Sequence, residues 1–311
     1  MKITVIGAAG CVGSCTSFTI AVLGLADEII MIDDHQQSLL GQHASDIGPA
    51  VANQDIIIRA GSYEDMPGSD IIINAAGLHQ GLYASAQEWL TRSLSLIQEI
   101  ARKIAQFCPQ AVVITAANPV GPLNYATYLL SSHRNRSQYL GYSFNDTIRF
   151  RIMLAQALGV KTSQVEGTAI GDHGPTQVLL FSSVRVKSKP FPVSEDVKQK
   201  ILRQVPDIFR NLGKLKEETG RTAGWTTAAG LAAVSRAIGK DTGEMLPCSA
   251  VLEGEYGCRG LSIGVPAIIG REGIRKVLEW QLAPDEHENL EHSINTLKPS
   301  MRYVEEYLGT G

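Results

Sequence analysis

A short β-branched run, Ile3-Thr4-Val5-Ile6, leads directly into Gly7-Ala8-Ala9-Gly10-Cys11-Val12-Gly13 and then into an apolar helical stretch from Val12 to about Leu23. The pattern is G-x-x-G-x-x-G between a strand and a helix. Glycine allows the tight turn and lets the backbone approach a diphosphate, and the helix N-terminus offers unpaired N–H groups at the positive end of its dipole. A second strand is expected over Glu28 to Ile32, closed by Asp33, which lies 33 − 13 = 20 residues beyond the last glycine. A carboxylate there accepts both ribose hydroxyls of an adenosine and repels a 2′-phosphate, which favours NAD over NADP. The candidate cofactor residues are Gly7, Gly10, Val12, Gly13 and Asp33. The plainer alternative is a tight turn followed by a helix-capping Asp.

The alternation continues. A polar-faced helix is expected around Leu39 to Ile47, strands at Ile56 to Ile58 and Ile71 to Ile73, a long helix from about Ser85 to Phe107, and a strand at Val112 to Thr115. Strands written as continuous apolar runs and separated by helices indicate a parallel sheet covered on both faces, hence a doubly wound α/β fold. The second half reads differently. Helices are expected over Thr147 to Leu158, Gln199 to Glu218, Ala223 to Ile238 and Glu286 to Tyr307. Antiparallel strand is expected over Val178 to Val186, and strands with a turn at Gly254 to Gly257 over Ser249 to Ile263. A regular α/β half, 1–142, is thus followed by a mixed α+β half, 143–311, with no Pro/Ser linker between them.

The balance of charge narrows the partners. Lys and Arg number 28 and Asp and Glu 31, so 28 − 31 leaves −3. That argues against nucleic acid or an anionic membrane as the main partner, since either favours a concentrated positive face. No run approaches the ~18 unbroken apolar residues of a membrane span, and MKITVIGAAG does not read as a signal peptide. Five cysteines, an odd number, read as reduced thiols of a cytoplasmic protein.

Three further pieces carry chemistry. Asn145-Asp146-Thr147-Ile148-Arg149 opens a helix, and Asp146 and Arg149, three apart, share a face. Gly171-Asp172-His173-Gly174 ends a strand-like run. Asn118-Pro119-Val120 follows the last strand of the α/β half, on the edge where such sheets bind ligands. If these pieces meet, a histidine held by a carboxylate moves a proton with a fixed tautomer. An arginine beside it grips a substrate carboxylate, and an amide orients the nicotinamide or the substrate oxygen. With a hydride carrier, that set describes exchange between a 2-hydroxy acid and a 2-oxo acid. Each residue alone also has a structural explanation: a helix-start acid, a surface cation, a turn histidine, or turn chemistry before proline.

On these residues the chain resembles the lactate/malate dehydrogenase family, over nearly its whole length and in the family's order. Leu252 to Gly257 and Ile263 to Pro266 are similar to the family's C-terminal strands. The resemblance implies an NAD-binding Rossmann domain followed by a catalytic domain, with His173 as acid/base, Asp146 as its partner, Arg149 as carboxylate anchor and Asn118 as a cofactor and substrate contact. It also implies NAD, no metal, a small 2-hydroxy or 2-oxo acid as substrate, and assembly as a homodimer or homotetramer.

The departures are specific. After Ala76-Gly77 the family carries a loop over the substrate, with two arginines in malate enzymes. An ungapped overlay puts Gln80, as in lactate-type enzymes, at the first position and Ala86 at the second, where both kinds normally keep arginine. No Arg or Lys occurs between Ala76 and Thr91, and the segment holds Leu78, Leu82, Tyr83 and Trp89. The expectation is a 2-hydroxy acid with an uncharged side chain, with His79 one candidate for polarising the carbonyl. The alternative is a catalytically weakened NAD-binding relative acting as a sensor or assembly partner. Asn145 stands where a polar residue would alter the pocket floor or bond the substrate. Thr226, between Trp225 and Thr227, is expected to line the side-chain pocket.

Overall fold

The computed structural model describes residues 1–78, 83–131, 135–219 and 223–310. Its centre is a parallel sheet of β1 (Lys2–Ile6), β2 (Glu28–Ile32), β3 (Ile57–Ala60), β4 (Ile71–Asn74), β5 (Val112–Thr115) and β6 (Tyr139–Gly141), in spatial order β6-β5-β4-β1-β2-β3. The order reverses between β1 and β4, the switch point at which doubly wound sheets open a crevice at their carboxyl ends.

Strand side chains alternate in direction, and both faces are apolar. Ile3, Val5, Ile29, Met31, Ile71 and Ile73 belong to one core, which includes Ile20 and Ala21 of α1 (Cys11–Val22) and Leu40 and Ile47 of α2 (Gln37–Ala50). Ile6, Ile30, Ile32, Ile72 and Val113 belong to another, under Ile100 and Ile104 of α3 (Ala86–Phe107). The expected strands and helices of the first half lie where the pattern puts them, within a few residues.

Two elements of that half carry no clear periodic signal in the sequence. α4 (Val120–Leu129) is written with Pro122, Asn124 and Thr127, poor helix formers, and is buried from Val120 to Thr127. Tertiary packing overrides propensity there. β6 has only three residues, too few to show a period.

Strands of the second half extend the same sheet. β10 (Met245–Glu253) pairs antiparallel with β6, and β11 (Arg259–Gly270) and β12 (Gly273–Val277) follow, making nine strands. β7 (Val165–Ile170), β8 (Val178–Val186) and β9 (Lys189–Pro190) form a separate antiparallel sheet. Its core joins Leu179, Phe181 and Val184 to Phe150, Met153 and Leu154 of α5 (Phe144–Leu158) and to Ile201 and Val205 of α6 (Glu195–Thr219). α7 (Trp225–Gly239) packs on α1, and α8 (Pro284–Leu308) closes against α4 and β8. Among the described residues no helix is long and apolar enough to cross a membrane.

Candidate active site

The glycine turn is built for a close approach. Gly7 has φ +77°, and a Cβ on it would lie 2.5 Å from the amide nitrogen of Ala76. A Cβ on Gly13 would lie 2.4 Å from the Gly7 carbonyl oxygen. Side chains are excluded at both places, whatever their chemistry. Gly10 precedes α1, no side chain caps that helix, and its first turn holds no acidic residue. The leading N–H groups of α1 therefore keep both their donors and their positive end for an anion.

Asp33 follows β2 beside this turn. Its Oδ2 accepts from the Ala9 amide at 3.3 Å and its Oδ1 from the His35 and Gln36 amides at 3.1 and 3.0 Å. The carboxylate is thus part of the turn, as the plainer alternative has it, and it remains half-exposed beside the phosphate cradle. The donors, the glycine clearances and this acid fit a dinucleotide with an unphosphorylated adenosine ribose. Val12 is half-buried in the first turn of α1, packed against the core.

Neighbouring strands deliver the chemical groups. Thr115 at the end of β5 pairs with Gly141 at the end of β6, and the Tyr142 amide donates to the Thr115 carbonyl. Asn118 beyond β5 and Asp146 beyond β6 therefore leave the sheet at one edge. Asn118 precedes a cis peptide bond to Pro119 and is half-buried. From another direction, Gly171 forms a two-way bridge with Gly264 of β11, at 2.9 and 3.0 Å, which anchors the turn carrying His173. The Asp172 amide donates to Ser293 Oγ of α8 at 2.8 Å, a second anchor.

The result is a compact charged cluster. His173 Nδ1 lies 2.6 Å from Asp146 Oδ2, and Arg149 Nη1 donates to Asp146 Oδ1 at 3.4 Å. The Asp146 side chain is only 5% exposed, against 14% for His173 and 24% for Arg149. The carboxylate is thus the buried hub, while Arg149 keeps donors free for a ligand. Burial works to lower the His173 pKa. The charge of Asp146 and its hydrogen bond outweigh that, and the pKa lies above the ordinary value. Burial raises the Asp172 carboxyl, an effect eased by the neighbouring His173. With Nδ1 committed to Asp146, Nε2 is the end of the ring left able to exchange a proton.

Other residues fall differently. Asn145 does not offer a free amide to a pocket: its Oδ1 accepts from Tyr142 at 2.8 Å and its Nδ2 donates to Thr227 Oγ1 at 2.8 Å. Thr226 is exposed on the first turn of α7. Gln80, His79 and Leu82 lie outside the described residues. Ala86 is the exposed first residue of α3. Nearby, Ser85 caps the helix through the Glu88 amide, and Trp89 Nε1 donates to the Leu78 carbonyl at 3.0 Å, clasping the described ends of the loop. Tyr142, Ser293 and Gly264 were not singled out in the sequence. Ser293 and Gly264 act through partners far along the chain, while Tyr142 bonds Asn145 only three residues on.

Comparison with known proteins comes to the same architecture. Residues 1–140 match the family model described as lactate/malate dehydrogenase, NAD binding domain, and residues 145–308 match lactate/malate dehydrogenase, alpha/beta C-terminal domain. A malate dehydrogenase of Halobacterium salinarum is 34% identical over 95% of this chain and 97% of its own length. An L-lactate dehydrogenase of Halalkalibacterium halodurans is 32% identical over 96% and 95%. Among solved structures, the apo malate dehydrogenase of Picrophilus torridus superposes with a TM-score of 0.90 at 26% identity, covering 99% of this chain and 98% of that one.

Proposed function

We propose, from the premise that this chain belongs to the lactate/malate dehydrogenase family of NAD-dependent oxidoreductases, that it interconverts a 2-oxo acid and an L-2-hydroxy acid whose side chain is uncharged. The observation that carries the reading is the His173–Asp146–Arg149 cluster, with an acid/base and a carboxylate anchor sharing one buried hub. Bound NAD supplies the hydride acceptor, or as NADH the donor. The uncapped start of α1 over Gly7, Gly10, Val12 and Gly13 would hold it, with Asp33 placed to accept from the adenosine ribose.

The protein's own groups do the rest. Arg149 binds the substrate carboxylate with the donors that Asp146 leaves free, which orients the carbon at which hydride is exchanged. In oxidation His173 Nε2 takes the hydroxyl proton as the alcohol becomes a carbonyl. In reduction the protonated ring returns a proton to the carbonyl oxygen. Asp146 steadies the imidazolium in both directions. The raised His173 pKa favours the protonated ring, the form that reduction requires. Asn118 would contact the cofactor and substrate, and Thr226, with Gln80 by the family resemblance, would serve the substrate.

The absence of Arg or Lys between Ala76 and Thr91, together with Ala86 at the second loop position, supports an uncharged side chain. A second carboxylate would have no cation from that loop. Steady-state kinetics with NADH and a panel of 2-oxo acids tests this. Preference for straight-chain or branched apolar 2-oxo acids over oxaloacetate is expected, with turnover lost in His173→Ala. A clear preference for oxaloacetate contradicts the reading. NADH binding with no turnover on any member favours the sensor or assembly alternative. We further take 1–142 and 143–311 as the working units, and a cytoplasmic homodimer or homotetramer as the assembly, with α2 and α7 as candidate subunit contacts.

A further inference from the structure

The hydrogen-bonded chain Tyr142–Asn145–Thr227 ties the junction between β6 and α5 to the start of α7, 82 residues further along the sequence. Tyr142 follows β6 directly, Asn145 lies in the first turn of α5, and Thr227 lies in the first turn of α7. Tyr142 and Asn145 are 4% and 5% exposed, and both ends of the Asn145 carboxamide are bonded at 2.8 Å. The phenol lies directly over α7, where a Cβ on Gly230 would come within 1.8 Å of its oxygen. Burial, and then the charge of Asp146, push the Tyr142 pKa far up, so the phenol stays neutral and available to the chain.

α7 has a second neighbour. A Cβ on Gly224, immediately before its first residue, would lie 2.8 Å from the Cys11 carbonyl oxygen and 3.2 Å from Val12 Cα, within the glycine turn. One end of α7 therefore touches the dinucleotide cradle and, through Thr227, the residue next to Asp146. A buried amide that is bonded at both ends resists rotation and slippage, because displacing it strands a polar group away from water.

We propose that Asn145, with Tyr142 and Thr227, is a positioning clamp that holds Asp146 and Arg149 in register with the glycine turn through α7, so that a seated dinucleotide meets a preset carboxylate grip. The clamp rests on the reading of His173, Asp146 and Arg149 given above. Asn145 touches neither substrate nor cofactor in this role. Its effect falls on the geometry of the ternary complex, not on dinucleotide binding.

Three variants test it: Asn145→Leu, Thr227→Val, which keeps shape and removes the hydroxyl, and Thr227→Ser, which restores it. NADH affinity is measured by fluorescence titration. The affinity of oxamate, an unreactive 2-oxo-acid analogue, is then measured at saturating NADH, with melting temperature alongside. NADH affinity is expected to stay within about twofold in all three. Oxamate affinity falls about tenfold in Asn145→Leu and Thr227→Val, the scale set by one stranded buried amide group, and Thr227→Ser stays within about threefold of wild type. The double variant Asn145→Leu/Thr227→Val is no worse than Asn145→Leu alone, as members of one chain require. Equal losses of NADH and oxamate affinity, or an unchanged oxamate affinity in Thr227→Val, overturn the clamp. If the wild-type NADH complex does not bind oxamate, or His173→Ala keeps its turnover, the underlying reading of the site fails and the clamp falls with it.

Discussion

Asp146→Asn removes one charge and almost no volume from the centre of the cluster. At the observed 2.6 Å between His173 Nδ1 and Asp146 Oδ2, and an effective dielectric of ~20, the pair attracts by about 6 kcal/mol before solvation is counted. One-sided breakage of a buried pair typically costs ~3–5 kcal/mol. If the whole of that is lost from the transition state, kcat/KM for 2-oxo-acid reduction falls by about 100- to 5,000-fold. The direction of the pH effect follows from the same balance. In wild type the carboxylate outweighs burial and keeps the imidazole protonated to higher pH. In the variant only the neighbouring Asp172 charge still opposes burial and Arg149, both of which disfavour the imidazolium. The alkaline limb of the kcat/KM profile, measured at saturating NADH, therefore moves to lower pH. A raised folded-state pKa also stabilises the fold. That contribution is complete below the unfolded histidine pKa of ~6.5 and disappears as pH rises through the folded value, so the stability gap between wild type and variant narrows as pH rises. An unchanged alkaline limb, or a loss of less than about threefold, refutes this account of the pair.

Other positions give independent tests. Gly13→Ala sets a Cβ 2.4 Å from the Gly7 carbonyl oxygen, so NADH affinity by titration should fall at least ~10-fold, with a lowered melting temperature. Asp33→Ala removes the ribose acceptor and the repulsion of a 2′-phosphate, so the ratio of NADH to NADPH affinity should drop by about tenfold or more. Arg149→Ala should raise the 2-oxo-acid KM by about 30-fold or more with NADH affinity within about twofold, because a bonded carboxylate partner is worth ~2–5 kcal/mol when truncated. Arg136 bonds Glu255 with two nitrogens, at 3.0 and 2.8 Å, and chiefly these hydrogen bonds hold the Glu255 carboxyl down to about 2. A depressed carboxyl stabilises the fold above its unfolded pKa and loses that contribution as pH falls toward about 2. Arg136→Met should therefore reduce stability at neutral pH by up to ~1 kcal/mol and narrow its deficit on acidification, as read by chemical denaturation.

Much of this was legible in the sequence, for physical reasons. The β-branched runs of β1, β2 and β4 read as strands because both their faces are buried, so no charged position interrupts them, and Thr4 within β1 is itself buried and bonded to Ser69. α3 read as a helix because Leu90, Leu94, Ile97, Ile100 and Ile104 recur at helical spacing. Asp146 and Arg149 were visible as partners because three residues on a helix is a fixed distance. The bond from Asp146 to His173 was legible only as a condition. It depends on β7 and on the Gly171–Gly264 bridge to β11, a contact between two glycines that carries no chemical signature. Asn145 reads as polar, but the bond that fixes its direction goes to Thr227, 82 residues away, which no local pattern shows.

The central claim is that this cluster moves a proton while hydride passes between NAD and a 2-oxo acid. NADH deuterated at C4 on the transferred side, incubated with the best 2-oxo acid of the panel and followed by proton NMR, tests it most directly. Deuterium should appear at C2 of the hydroxy acid with wild-type protein and be absent with His173→Ala. Product without deuterium, or equal transfer by His173→Ala, would contradict it.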